Sequence, residues 1–311
     1  MRTKRTYLGV AIGDGKLFAV GGCDRWHHSK KSGEYLNLEN MEAGWKELPE
    51  MRTERGGLGV AIGDGKLFAV GGYDRRDDCS KSGEYLDLEN MKAGWKELPD
   101  LWTGRGGLGV AIGDNKLFAL GGYDSRHFSK KSGEYLDLEN MEAGWKELPD
   151  MRTKRTYLGV AIGDSKLFAV GGYNRQDGCL KSGEYLDLEN MEEGWKELPE
   201  MRTERRSLGM AIGDGKLFVV GGYDLRHDCS KSGEHLDLEN MEEGWKELSE
   251  MRTERRSLGV AIGDGKLFAV GGQDRRDDCS KSGECLRCSL DYFPSSASLS
   301  FSSFSSGSAL G

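Results

Sequence analysis

A block of fifty residues recurs five times in this chain, and a sixth copy keeps register as far as Glu284. Repetition at that period marks an array of like supersecondary units, none of which can bury its apolar face alone. Each copy reads M-R-T-x-R-x-x-L-G-V-A-I-G-D-G-K-L-F-A-V-G-G, then a variable stretch, then K-S-G-E-Y-L-D-L-E-N-M-E-x-G-W-K-E-L-P. In the second copy the apolar run at 58–62 is too short for a helix. Gly63-Asp64-Gly65-Lys66 supplies a tight turn, and residues 67–70 form a second apolar run stopped by Gly71-Gly72. An apolar run, a turn and another apolar run predict a hairpin. A third strand is expected at 84–88 and a fourth at 95–98, ended by Pro99; residues 89–94 between them read as a loop rather than a helical turn, because of Asn90 and Gly94. Four short strands per block predict an all-β, six-bladed propeller over residues 1–288. A solenoid of the same period would need polar caps, whereas the chain opens at full consensus.

Composition removes other classes. The 47 glycines among 311 residues follow the fifty-residue period, which excludes collagen. No apolar run approaches the ~18 residues that span a bilayer, so no membrane partner is expected. A net charge of −8 argues against a nucleic-acid binder. The opening twenty residues are no signal peptide, since the same string returns at 151–170 with one substitution. Seven cysteines, four of them (Cys79, Cys179, Cys229, Cys279) at one repeat position, would be spread around a ring, which suits reduced thiols and a cytoplasmic location.

The spacing of the Arg, Gly-Gly and Trp positions in M-R-T-x-R…L-F-A-V-G-G-Y-D…G-E-Y-L-D…G-W resembles the kelch repeat, as it occurs in kelch-like proteins, over residues 1–284. The resemblance implies a β-propeller with one blade per unit. It implies also a protein-binding role, as the substrate-recognition part of a cullin-3 ubiquitin ligase or as an actin binder. The BTB and BACK domains usual upstream in such proteins are not in this sequence. One position departs from the family: the tyrosine expected directly before the Asp is Leu86, with Tyr85 one place earlier, which points to a shifted register or a bulge in the third strand.

In an up-and-down blade, the loop between strands two and three shares a ring face with the linker between blades. Those two segments are where the copies differ, for example 23–28 against 73–78 and 104–107 against 154–157, whereas the 1–2 turn and the 3–4 loop scarcely change. Recognition is usually built on loops of a rigid scaffold. The variable face also gathers arginine, and the opposite face gathers glutamate such as Glu39, Glu89, Glu139, Glu189 and Glu239. The expected partner-binding residues are Arg25, Arg75, Arg76, Arg126, Arg175, Arg205, Arg206, Arg226, Arg255, Arg256, Arg275 and Arg276, with Tyr73, Tyr123, Tyr173 and Tyr223. They would receive an acidic or phosphorylated protein. For the column Arg5, Arg55, Arg105, Arg155, Arg205, Arg255 a structural role is expected, bonding linker carbonyls, although its members Arg205 and Arg255 also count among the face arginines.

The remaining motifs are structural. The Gly-Gly pairs lack the Lys-Ser/Thr and helix of a phosphate loop. Trp45, Trp95, Trp145, Trp195 and Trp245 read as inter-blade core. His27-His28 has no Cys/Asp companions to complete a zinc set, and Cys285-Leu286-Arg287-Cys288 is a single C-x-x-C. No cofactor is expected, and six near-identical copies offer no asymmetric catalytic constellation, so no enzyme is expected. A multivalent lectin with one site per blade is the alternative function.

After Glu284 the pattern stops. Residues 289–311 form a low-complexity Ser/Phe-rich tail, expected to be disordered. Three outcomes are open for the sixth blade: Leu290-Asp291-Tyr292-Phe293 substitutes as its fourth strand, the ring stays open, or the natural protein differs at this end.

Overall fold

The structure, a computed structural model, describes residues 1–224, 228–263 and 265–287. In the second repeat the chain runs through antiparallel strands Gly59–Gly63, Lys66–Val70, Gly83–Asp87 and Lys96–Glu97, in that spatial order. The hairpin between the first two turns on Asp64 and Gly65, both at positive φ (50° and 63°), the two-residue turn that matches strand twist. The first five repeats each give such a four-stranded blade. The described part of the sixth gives three strands, Gly259–Gly263, Lys266–Val270 and Gly283–Arg287. The 289–311 tail, the substitute strand at 290–293 and Cys288 lie outside the described residues.

The first strands line the axis, each against the first strand of the next blade. A Cβ on Gly9 would lie 2.1 Å from Val60 Cγ2, and the same clash recurs from Gly59 to Val110 and from Gly259 back to Val10. Only glycine lets inner strands approach this closely, and the last contact joins blade 6 to blade 1. A second ring lies just before these strands. Tyr7, Gly57, Gly107, Tyr157, Ser207 and Ser257 all hold φ between 52° and 60°. Each donates its N–H to the carbonyl of its counterpart in the preceding blade at 2.7–3.0 Å, including Tyr7 to Ser257. The propeller is therefore closed along its inner strands.

Both faces of a blade are buried, which settles the third strand. It pairs without a bulge, from Lys66↔Asp87 to Val70↔Gly83, so the register shift expected from Leu86 does not occur. Leu86 enters the seam with blade 1, beside Phe18 and Trp95, while Tyr85 enters the seam with blade 3. With an apolar seam on either side, Tyr and Leu exchange places at no cost to pairing. The fourth strand is shorter than expected, and a 3₁₀ turn at Met91–Ala93 replaces the expected loop, ending at Gly94 with φ 75°. The tryptophans are inter-blade core: Trp95, Trp145, Trp195 and Trp245 are buried, and each indole N–H donates at 2.9 Å to Pro49, Pro99, Pro149 or Pro199 of the preceding blade.

Blade 5 replaces the seam tyrosine with His235, which is buried against Phe218 with no hydrogen-bond partner for Nδ1. Burial, then Lys216 and Lys246, lower its pKa. The unfolded chain therefore takes up a proton first as pH falls below ~6.5, and stability is lost in that direction. His235→Tyr is expected to raise stability by about 1 kcal/mol at pH 8 and by more at pH 5. Denaturant midpoints at the two pH values, compared with the parent chain, test this.

Candidate functional site

Six arginines are the largest wholly buried side chains: Arg5, Arg55, Arg105, Arg155, Arg205 and Arg255. Arg55 shows what each does. Its Nη1 donates to the carbonyls of Gly71 and Ser82, both at 2.8 Å. Nη2 donates to Ser82 Oγ at 2.7 Å and to Glu84 Oε1 at 2.9 Å, and Nε donates to the same Oε1 at 3.2 Å. Glu84 in turn accepts the backbone N–H groups of Arg52 (2.7 Å) and Thr53 (3.1 Å). Burial pulls the Arg55 pKa down while Glu84 opposes it; an arginine so paired stays charged. The column is structural, but its carbonyl partners belong to the ends of strands two and three, and the linker is held through the glutamate.

This corrects two expected site residues. Arg205 and Arg255 are each 1% exposed and paired with Glu234 and Glu284. Both lie in the core and not on the loop-bearing surface.

The next two residues of each linker turn to the ring axis, and here the copies differ. The ring of Tyr7, Gly57, Gly107, Tyr157, Ser207 and Ser257 opens on a cavity of about 130 Å³, floored by Leu8, Leu58 and their counterparts. In blades 2 and 3 the linker is glycine, and tyrosine rings lie over it. A Cβ on Gly57 would fall 2.6 Å from Tyr73 Cε1, and one on Gly106 would fall 2.9 Å from Tyr123 Cζ. Tyr73, Tyr123, Tyr157 and Tyr7 form an aromatic circuit with centroids 5.6–6.4 Å apart.

Blades 5 and 6 carry Arg206-Ser207 and Arg256-Ser257 instead. The Arg206 guanidinium lies between two rings, 4.6 Å from Tyr173 and 4.2 Å from Tyr223, and the Arg256 guanidinium lies 4.9 Å from the Tyr223 ring. Burial pushes the Tyr223 phenol to about 12, so its ring is neutral and offers its face to both cations. Arg256 is paired with Asp277; Arg206 has no carboxylate partner among the described residues. Arg206 Nε, Arg256 Nε and the hydroxyls of Ser207, Ser257, Thr6 and Thr156 are buried polar atoms without a hydrogen bond. Such atoms are uncommon in a folded chain, and here they cluster around one mouth.

The other expected residues among those described lie on the same face, joined by linker-to-loop pairing such as Gly56 with Tyr73. Arg75 is paired with Glu54 (3.2 Å) and Arg275 with Glu254 (2.9 Å), so much of the arginine excess is neutralised locally. Arg126 lies 3.9 Å from Asp124. Arg25 covers the exposed Trp26 at 4.3 Å, and Arg175 and Arg126 flank the exposed Phe128 at 5.5 and 5.8 Å. Arg76 and Arg276 have no carboxylate partner among the described residues, and Arg226 lies outside them. Tyr73, Tyr123 and Tyr223 are buried, Tyr173 half so. Sequence reasoning missed Tyr7, Thr156, Tyr157, Ser207 and Ser257; the signal was in the variable linkers, two residues past the arginine column. No group of His, Cys, Asp and Glu that could hold a metal occurs among the described residues. Burial pushes the thiols of Cys79, Cys179 and Cys229 to about 11–12.

Six like blades with a uniform core and a divergent loop face define a repeat-propeller recognition scaffold. The kelch motif matches residues 4–52, 54–101, 104–152, 154–202 and 204–252, and the chain belongs to the kelch-repeat family. A kelch propeller is a protein-binding scaffold. Comparison with curated proteins finds no match. No helix among the described residues is long and apolar enough to cross a membrane.

Arg205→Ala, which strands Glu234 in the core, is expected to cost about 3–5 kcal/mol. Arg206→Ala, next to it, should cost less than about 1 kcal/mol. Thermal unfolding of the two variants checks the assignment.

Proposed function

We propose that this propeller holds a protein partner at the axial mouth of its loop-bearing face, where Arg206 receives an acidic or phosphorylated side chain. The observation that carries this reading is a guanidinium held between Tyr173 and Tyr223 without a carboxylate partner among the described residues, beside the unpaired hydroxyls of Ser207 and Ser257. A cation fixed by two rings has little side-chain entropy left to lose, and an arriving anion satisfies donors that the fold leaves open. The aromatic circuit of blades 1–4 offers apolar contact across the mouth, and Trp26 and Phe128 extend that contact outward.

The divergence of the axial residues weighs against a lectin with six equivalent sites. Non-catalytic action is part of the same reading, since the buried thiols carry no thiolate near neutral pH. Free buried thiols also fit a cytoplasmic location. A degradation substrate of a cullin-3 ligase and actin are the partner classes that the kelch resemblance offers.

An array of acidic, phosphorylated and neutral peptides tests the proposal. Acidic or phosphorylated members should bind, with affinity falling as salt rises. Arg206→Glu should weaken them by about 10- to 100-fold at unchanged thermal midpoint, and Arg206→Gln should give a smaller loss. Equal binding of neutral peptides, or no effect of either variant, would overturn it.

A further inference from the structure

We propose a lateral docking site, distinct from the axial mouth: the outer rim of blade 3 takes an arginine side chain of a partner protein between the Trp102 ring and the Glu147 carboxylate.

The other blades show what this place holds. The second residue of the repeat is arginine in every copy but the third, where it is Trp102. In blades 1, 2, 4 and 5 that arginine pairs with the glutamate of the outer strand. The pairs are Arg2 with Glu47 (3.4 Å), Arg52 with Glu97 (2.7 Å), Arg152 with Glu197 (3.1 Å) and Arg202 with Glu247 (3.3 Å). The main chain of blade 3 follows the same path. Trp102 donates its N–H to Glu134 Oε2 at 2.8 Å, as Arg52, Arg152 and Arg202 do to their own buried glutamates at 2.7 Å. On the outer strand Lys146–Glu147, Glu147 stands opposite Glu134, just as Glu97 stands opposite Glu84. The position of the carboxylate is kept, and its cation has been exchanged for an indole.

That exchange leaves two groups open to solvent. Glu147 is exposed and has no ion pair among the described residues, and residues 51–200 are all described. Trp102 is 54% exposed. Lys146, next to Glu147 in the strand, lies over the Tyr135 ring at 5.9 Å. Asp100, two residues before Trp102, is exposed and also lacks an ion pair among the described residues, so the surroundings favour a cation. A guanidinium answers both groups at once: its flat face stacks on an indole, and its edge pairs with a carboxylate through two N–H groups. An ammonium pairs with the carboxylate but has no flat face to lay on the ring, and an apolar side chain would dehydrate Glu147 without pairing it. The arriving group is thus the one that the four sibling blades supply from their own chain. The outer strand stands three strand spacings, about 14 Å, from the axial strand, so rim and mouth are separate places. A cation at the rim and an anion at the mouth would together set the orientation of one partner.

The test titrates the peptide acetyl-Gly-Ser-Arg-Ser-Gly-amide into the ¹⁵N-labelled full chain and follows the Trp102 indole N–H and the Glu147 amide by NMR. Both resonances should shift and saturate, while the buried Trp95 and Trp145 indoles stay in place, and added salt should weaken the binding. Glu147→Gln should weaken it about threefold. Trp102→Arg rebuilds the sibling pair, and should abolish the shift of the Glu147 amide without lowering the thermal midpoint. The proposal is overturned if neither resonance moves, if the peptide with Glu for Arg shifts them equally, or if Trp102→Arg binds as the parent chain does.

Discussion

A guanidinium removed from water must have its donors filled and its charge met, and this propeller solves that problem six times over. Each blade buries one arginine against one glutamate, and the pair reaches three segments at once: the linker, the end of strand two and the start of strand three. A buried ion pair is no cheap source of stability, and an apolar pair of equal volume would often serve as well. What it supplies here is geometry. Glu184 accepts the N–H groups of Arg152 and Thr153, and that fixes the path of the linker into the axis.

Everything at the mouth follows from that path. Because the linker enters each blade identically, its next two residues arrive at the axis in fixed positions, and the hydrogen-bonded ring through Tyr7, Gly57, Gly107, Tyr157, Ser207 and Ser257 closes there. The scaffold can be copied without change, and the chemistry at the mouth is then set by two residues per copy. Glycine in blades 2 and 3 makes room for tyrosine rings; arginine and serine in blades 5 and 6 place donors opposite them. A ring of nearly identical blades thereby acquires an apolar side and a cationic side.

Much of this was legible in the sequence, and the failures have specific causes. The period gave blade number, and the turn residues and apolar runs placed the strands within a residue or two. The kelch motif matches support the family resemblance. The shifted register or bulge expected at Leu86 does not occur, because a blade packed on both sides accepts Tyr85 and Leu86 in either order. Arg205 and Arg206 carry the same side chain at adjacent positions; the repeat column marked the first as structural, and the fold adds that the second turns toward the axis. The Tyr173–Arg206–Tyr223 stack joins residues from different blades, a contact that no local pattern encodes.

It is the buried carboxylate that holds the linker in place. Amide hydrogen exchange of Glu184→Gln, an isosteric change that removes the charge, measures this directly in blade 4. The prediction is faster exchange at Arg152, Thr153 and Thr156, with strand cores such as Leu167 and Phe168 keeping their protection. Unchanged exchange along the linker would show that the path into the axis is set without the ion pair, and would contradict the account.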